Sequence, residues 1–227
     1  MNAFFAFVLS QSILIPIVVG LVYRKNLKPG YFPFFLLLLI GFLNELLSFV
    51  LINGFGLRNA ISIKVYSLIE CCLILYQLYI WRNLKKLYKT YTFIIGVCIL
   101  TWIIENIFLF KSNLHGPYFM MLYAFFIVLL SINQINIIMV RPQSELLKNP
   151  VIVFCISFII FFTYQIVYQA ALYQSQETHE YNGIFTGFAY INFATNILYA
   201  IAFFLIKDES NPAYQKHLLN KQTDKLT

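Results

Sequence analysis

The sequence predicts an all-α integral membrane protein, a bundle of seven transmembrane helices with its N-terminus outside and its C-terminus in the cytoplasm. Three observations carry that expectation. The 227 residues are 60% hydrophobic and 19% aromatic but only 11% charged, with a mean hydropathy of +0.75. A soluble domain carries about 25% charged residues, so this chain cannot cover its surface in water. Seven apolar runs come close to the ~20 residues that cross a bilayer. Finally, Lys and Arg are divided very unevenly between the loops.

The elements follow in order. The first span is expected over 3–23, with a kink at Pro16. The first twenty residues lack the charged start and small-residue cleavage site of a signal peptide, so they read as a helix that stays. The second, 31–52, follows the turn Lys28-Pro29-Gly30, and the third, 61–81, follows Asn53-Gly54-Phe55-Gly56. The fourth is 90–110. The fifth, 117–140, begins on Pro117, a residue suited to a helix start, and ends before Arg141-Pro142. The sixth is 150–173, after Asn149-Pro150, and the seventh 183–206. Residues 1–206 thus form one transmembrane domain, and 207–227 a short polar tail with a turn or two of surface helix over 214–219. No repeat relates the first three spans to the last three.

Orientation comes from the basic residues. Loops one, three and five and the tail hold thirteen of the sixteen Lys and Arg, among them Arg24, Lys25, Arg82, Lys85, Lys86 and Arg141. The other side holds three, Arg58, Lys64 and Lys111, together with the acidic Glu177 and Glu180. The richer side is cytoplasmic by the positive-inside rule, which places the chain in a cell inner (cytoplasmic) membrane. The net charge of +7 therefore marks topology and headgroup contact rather than nucleic-acid binding, since the basic residues lie between apolar runs. Cys71, Cys72, Cys98 and Cys155 all fall inside the runs without CxxC spacing and read as small buried hydrophobes.

The third span carries the most informative residue. Ser67, Glu70, Ile74 and Gln77 recur at helical spacing, so they share a face. A carboxylate facing lipid at mid-depth costs ~2.5–3.5 kcal/mol on insertion scales, which directs Glu70 into the bundle. Glu45 lies at a similar level on the neighbouring span. No Lys or Arg lies at mid-depth to pair with either, since Lys64 is six residues from Glu70 and reaches outward. The two carboxyls must then be hydrated, neutral, or balanced by a proton, a metal ion or a cationic ligand. A protonated Glu hydrogen-bonded as helix glue is the competing structural role. With depth assigned from topology, Asn44, Glu45, Ser67, Glu70, Gln165, Gln169, Asn192 and Asn196 fall in the outer half or centre and form the ligand-binding candidates. Asn133, Gln134 and Asn136 fall in the cytoplasmic half of the fifth span and read as an inner polar crevice. Glu105, near the outer end of the fourth span, reads as an interfacial acid reaching water. Any one of the 24 Phe and 16 Tyr is first of all packing or interface belt.

Missing chemistry narrows the field. The seventh span has no Lys for a retinal Schiff base, and His115, His179 and His217 all lie outside the spans. There is no intramembrane Asp, no HExxH and no GxSxG. No metal, no cofactor and no catalytic residue is expected.

In layout the chain resembles the seven-helix membrane modules of bacterial sensor proteins. It is also similar to small stand-alone bacterial membrane proteins with N-E-L-L-S-F in the second helix, here 44–49, and Y-x-x-x-E in the third, here Tyr66 to Glu70. The resemblance implies a topology and a sensory role. The leading reading is a receptor-like module whose outward-facing polar pocket takes a small molecule, a lipid headgroup or a proton, with helix packing passing the event to a cytoplasmic or membrane signalling partner. The alternative is a small-solute or proton-coupled transporter with Glu70 as the protonatable group, the inner crevice supplying the cytoplasmic half of the path. Few midspan breaks and no repeat stand against it. An acid–base enzyme using Glu70 and Glu45, and a scaffold, are further readings with less support.

Overall fold

A computed structural model describes Leu9 and residues 11–23, 29–56, 59–82, 88–108, 117–140, 146–174 and 182–209. Among these residues there is no strand; the chain is a series of helices. In chain order they are α1 (Leu14–Val22, entered by a short 3-10 turn, Gln11–Ile13), α2 (Phe32–Phe55), α3 (Ala60–Arg82), α4 (Tyr88–Ile103), α5 (Pro117–Met139), α6 (Pro150–Gln174) and α7 (Asn182–Glu209). Six of them, α2 to α7 with α4 continued to Ile107, are long and apolar enough to cross a membrane. Their outward faces are strongly apolar, with Phe93 71% and Val140 85% exposed, a surface that suits hydrocarbon. The protein is a multi-pass membrane protein.

The boundaries differ from expectation in physical detail. α2 runs on to Phe55 because its stop is Gly56, which takes the left-handed conformation (φ 63°) that a side chain disfavours. The fourth span was expected as one helix to residue 110; α4 instead ends at Ile103 and continues as one wide π turn, Ile104–Phe108. α7 reaches Glu209, three residues into the expected tail. The rest of the tail, with 214–219, and most of the first half of the first span lie outside the described residues.

Consecutive helices pack side by side, and α7 returns onto α1, so the bundle closes on itself. α3 touches α2, α4 and α5. In a hydrocarbon solvent each helix start must find acceptors for its unpaired N–H groups within the protein. Three starts solve this with proline and a side chain. In α2, Pro33 removes one donor, and the next free N–H, that of Phe34, donates to Gln77 Oε1 of α3 at 3.0 Å. The Gln77 amide nitrogen donates in turn to the Gly30 carbonyl. In α5, Pro117 opens the helix and the Phe119 N–H donates to Glu105 Oε2 from the π turn at 2.6 Å. In α6, which begins on Pro150, the preceding Asn149 accepts from Val151 N–H at 3.0 Å.

One end of the core is an aromatic layer. Phe34 lies edge-on to Phe154, Phe158 and Tyr199, with ring centroids 4.9, 5.2 and 4.8 Å away, and Trp81 stacks on Phe154 at 5.4 Å. Leu75, Leu78 and Ile127 are fully buried with it. Together these side chains fill the space where α2, α3, α6 and α7 come together.

Gln77 is 0% exposed and serves two partners on another helix. Replacing it by Leu keeps the volume but strands the buried Phe34 N–H and the half-buried Gly30 carbonyl. The expected result is a loss of about 1–3 kcal/mol in unfolding free energy, measured by chemical unfolding in mixed detergent micelles.

Candidate functional site

The polar face of α3 is buried, but its members do different things. Ser67 donates to the Lys64 carbonyl of its own helix at 2.9 Å, and Gln77 caps α2. Glu70, 9% exposed, is the one that builds a site. Its Oε2 accepts from the Tyr123 phenol of α5 at 2.7 Å. The same phenol oxygen accepts from Gln165 Nε2 of α6 at 3.0 Å. The chain therefore has a direction: the α6 amide donates to the α5 phenol, and the phenol donates to the α3 carboxyl. Tyr123 has one proton, and this arrangement commits it to Glu70.

Tyr66, one turn before Glu70, stands beside the same carboxyl and within electrostatic reach of Glu45 on α2. Gly41 makes room for it, since a Cβ there would stand 3.0 Å from the Tyr66 hydroxyl. Glu45, one turn further along α2, is half-buried. Glu45 and Glu70 are thus linked through Tyr66. Tyr199 of α7 completes the surroundings of Glu70. Among the described residues no Lys or Arg pairs with Glu70, and no group of three or more His, Cys, Asp or Glu is placed to hold a metal ion.

The other candidates lie elsewhere. Gln169, one turn along α6 from Gln165, donates to Met120 Sδ at 3.0 Å. Asn196 donates to Ser12 Oγ at 2.8 Å, tying α7 to the chain just before α1, with Asn192 Oδ1 at 3.5 Å. Asn44 is half-buried on α2 and hydrogen-bonds none of these among the described residues. The expected single pocket resolves into the Glu70 cluster, the Asn196–Ser12 link and the Gln169–Met120 contact.

The inner set also divides. With the Asn133 amide turned so that its oxygen faces Arg82, that oxygen accepts from both terminal nitrogens of the guanidinium, at 2.8 and 3.2 Å. Gln134 donates to the Trp81 carbonyl at 3.4 Å. Asn136 is exposed on the outside of α5 and does not join them, because its position is about 200° round the helix from Gln134.

Two sequence readings need correction. Glu105 is not an acid reaching water: it is buried, and its carboxyl caps α5. The site also depends on tyrosines that abundance had assigned to packing. Tyr66 carried a signal, the i, i+4 spacing to Glu70 on one helical face. Tyr123 carried none, since its role depends on how α5 is rotated against α3.

Comparison with known proteins adds nothing to this geometry: no family model, no curated protein and no solved structure matches the chain.

If the three groups act as one network, their substitutions should not add. Tyr123→Phe is expected to cost about 1–3 kcal/mol by leaving Gln165 and Glu70 without their shared partner. Combined with Glu70→Gln, the double variant should depart from the sum by ~0.5–3 kcal/mol, read as a double-mutant cycle of unfolding free energies in detergent.

Proposed function

We propose that this chain is a receptor-like sensory module of a bacterial inner (cytoplasmic) membrane, with its N-terminus outside and its C-terminus in the cytoplasm. A small molecule, a lipid headgroup or a proton engages the Glu70 cluster. The shift in packing among α3, α5 and α6 is read by a cytoplasmic or membrane signalling partner. The observation that carries this reading is the directional chain Gln165–Tyr123–Glu70, which joins three helices at a buried carboxyl with no basic partner among the described residues. A ligand or proton that changes the carboxyl changes what Tyr123 donates to, and so acts on all three helices at once. The required differential binding between two packings then has a physical origin. The resemblance of the layout to the seven-helix modules of bacterial sensor proteins points the same way.

Transport is the second reading, because polar groups occur at the middle of α3, at Glu70, and at its last residue, Arg82. About 18 Å of helix separates them. That interval holds the buried Ile74, Leu75 and Leu78 against the aromatic layer, and its one polar member on that face, Gln77, is committed to α2. This packing favours a sealed sensor over an open path.

Reconstitution in liposomes separates the readings, with protons as the probe and Trp81 as the only indole in a Trp102→Phe background. For a sensor, external acidification alters Trp81 fluorescence without acidifying the lumen beyond protein-free vesicles, and Glu70→Gln abolishes the response while the helical signal is kept. Luminal acidification that Glu70→Gln abolishes selects transport. Collapse of the fold on Glu70→Gln assigns the carboxyl to structure and removes both readings. Orientation has its own check. A fluorescent protein fused after Thr227 should be bright and a periplasm-dependent phosphatase at the same point inactive, as thirteen of sixteen basic residues on that side require.

A further inference from the structure

The α3–α4 seam carries a pair of thiols that the Glu70 cluster does not use. Two contacts fix the register of these helices and show that they run antiparallel. Near one end the Trp102 indole of α4 donates to the Lys64 carbonyl of α3 at 3.0 Å. Towards the other end the Tyr79 and Tyr91 rings meet, with centroids 5.5 Å apart. Cys71 lies eight residues before Tyr79 and Cys98 seven after Tyr91, about 12 and 10.5 Å along the two axes. The cysteines therefore stand at one level, between the two contacts. Both face inward, Cys71 1% and Cys98 0% exposed, and their thiols are hydrogen-bonded to each other across the seam.

A buried free thiol is ordinarily a small apolar filler. Two of them in contact, from different helices, offer chemistry that one does not. Metal binding is poorly served, since among the described residues no third His, Cys, Asp or Glu completes a group placed to hold an ion. A disulfide carries neither charge nor donor, so it suits a site with no water at hand. Its S–S length of ~2.05 Å is shorter than any thiol contact, and α4 is the helix able to close the gap. Besides Cys98 it buries only Tyr91 and Ile94 among the described residues, so it is lightly held.

We propose that Cys71 and Cys98 are a redox site, closing to a reversible disulfide that cross-links α3 to α4, with hydrogen peroxide or a similarly small, neutral peroxide as oxidant. The oxidant class follows from the site: the thiols are sealed within an apolar bundle, which shuts out charged and bulky oxidants. One sulfur attacks the peroxide; the O–O bond breaks, an S–O bond forms, and the thiol proton leaves with the displaced hydroxide as water. The other sulfur then attacks this sulfenic sulfur. The S–S bond forms, and the sulfenic oxygen departs with the second thiol proton as another water. Two electrons pass from the sulfurs to the peroxide oxygens, and no further reactant is needed. The cross-link fastens α4 beside Glu70, the residue preceding Cys71, and stands whether or not a ligand engages that carboxyl.

The test uses the whole protein in detergent, treated with hydrogen peroxide, alkylated, unfolded and cut with trypsin without reductant. Cleavage after Lys64, Arg82, Lys89 and Lys111 puts Cys71 and Cys98 on separate peptides, 65–82 and 90–111. The expected result is loss of two of the four thiols, a linked pair of those peptides, and recovery of both thiols with dithiothreitol. Cys72→Ala, which removes the half-buried neighbour on the same peptide, and Cys155→Ala should leave the link in place. Cys71→Ala and Cys98→Ala should each abolish it. The proposal is overturned if peroxide consumes no thiols, if it yields sulfinic or sulfonic acids without linked peptides, or if the link survives Cys71→Ala. Should Cys71→Ala fail to fold, Cys72→Ala decides alone, since a link lost with Cys72 overturns the proposal.

Discussion

The hydrogen bond from Tyr123 to Glu70 sets the rotation of the bundle. A carboxyl in the middle of α3 has to be turned away from lipid, and it must find its partner on another helix, since water is not at hand. Fixing Glu70 Oε2 on Tyr123 fixes α3 against α5, and Gln165 then fixes α6 against both. The interior-facing residues of those helices follow from that choice. Cys71, Ile74 and Leu78 on α3, Ala124 and Ile127 on α5, and Phe158 and Phe162 on α6 all turn inward with the polar members of their helices.

The same demand for internal partners operates at the helix ends. Gln77 serves the start of α2, and Glu105 serves the start of α5. Each cap is supplied by a neighbouring helix rather than by the residue before the helix. Such a cap does two jobs: it satisfies an N–H, and it sets how far one helix slides along another. Trp102, whose indole donates to the Lys64 carbonyl at 3.0 Å, does the same between α4 and α3. Polar side chains in this protein are therefore mostly positioning devices, and the Glu70 cluster stands out because it joins three helices at one point.

Much of the fold was legible in the sequence. Apolar runs of the right length, bounded by Lys28-Pro29-Gly30, Asn149-Pro150 and Pro117, located six spanning helices to within a few residues, because length and proline placement are local properties. The inward turn of Glu70 was legible too, since lipid forbids the alternative. What was illegible depends on rotation and register between helices. Sequence spacing put Ser67 and Gln77 on the face of Glu70 without revealing that one bonds its own backbone and the other caps α2. It gave Gln165 a depth but no partner, and it left Tyr123 among sixteen tyrosines. The π turn at Ile104–Phe108 was illegible for a different reason: an added residue in a helix leaves no mark in an apolar pattern that is hydrophobic on nearly every side.

That π turn has a consequence for how the gene can vary. A π turn is what remains when one residue is inserted into an α-helix and the surroundings hold the ends in place. Removing Ile104 would close the turn between its held ends and draw Glu105 back by one position, about 100° round the helix. Glu105 would then leave the start of α5. Length at this point is thus under tighter constraint than residue identity. Exchange of Ile104 or Ile107, both facing outward, for another apolar residue should be silent in descendants of this chain, whereas a single-codon deletion beside them should be rare.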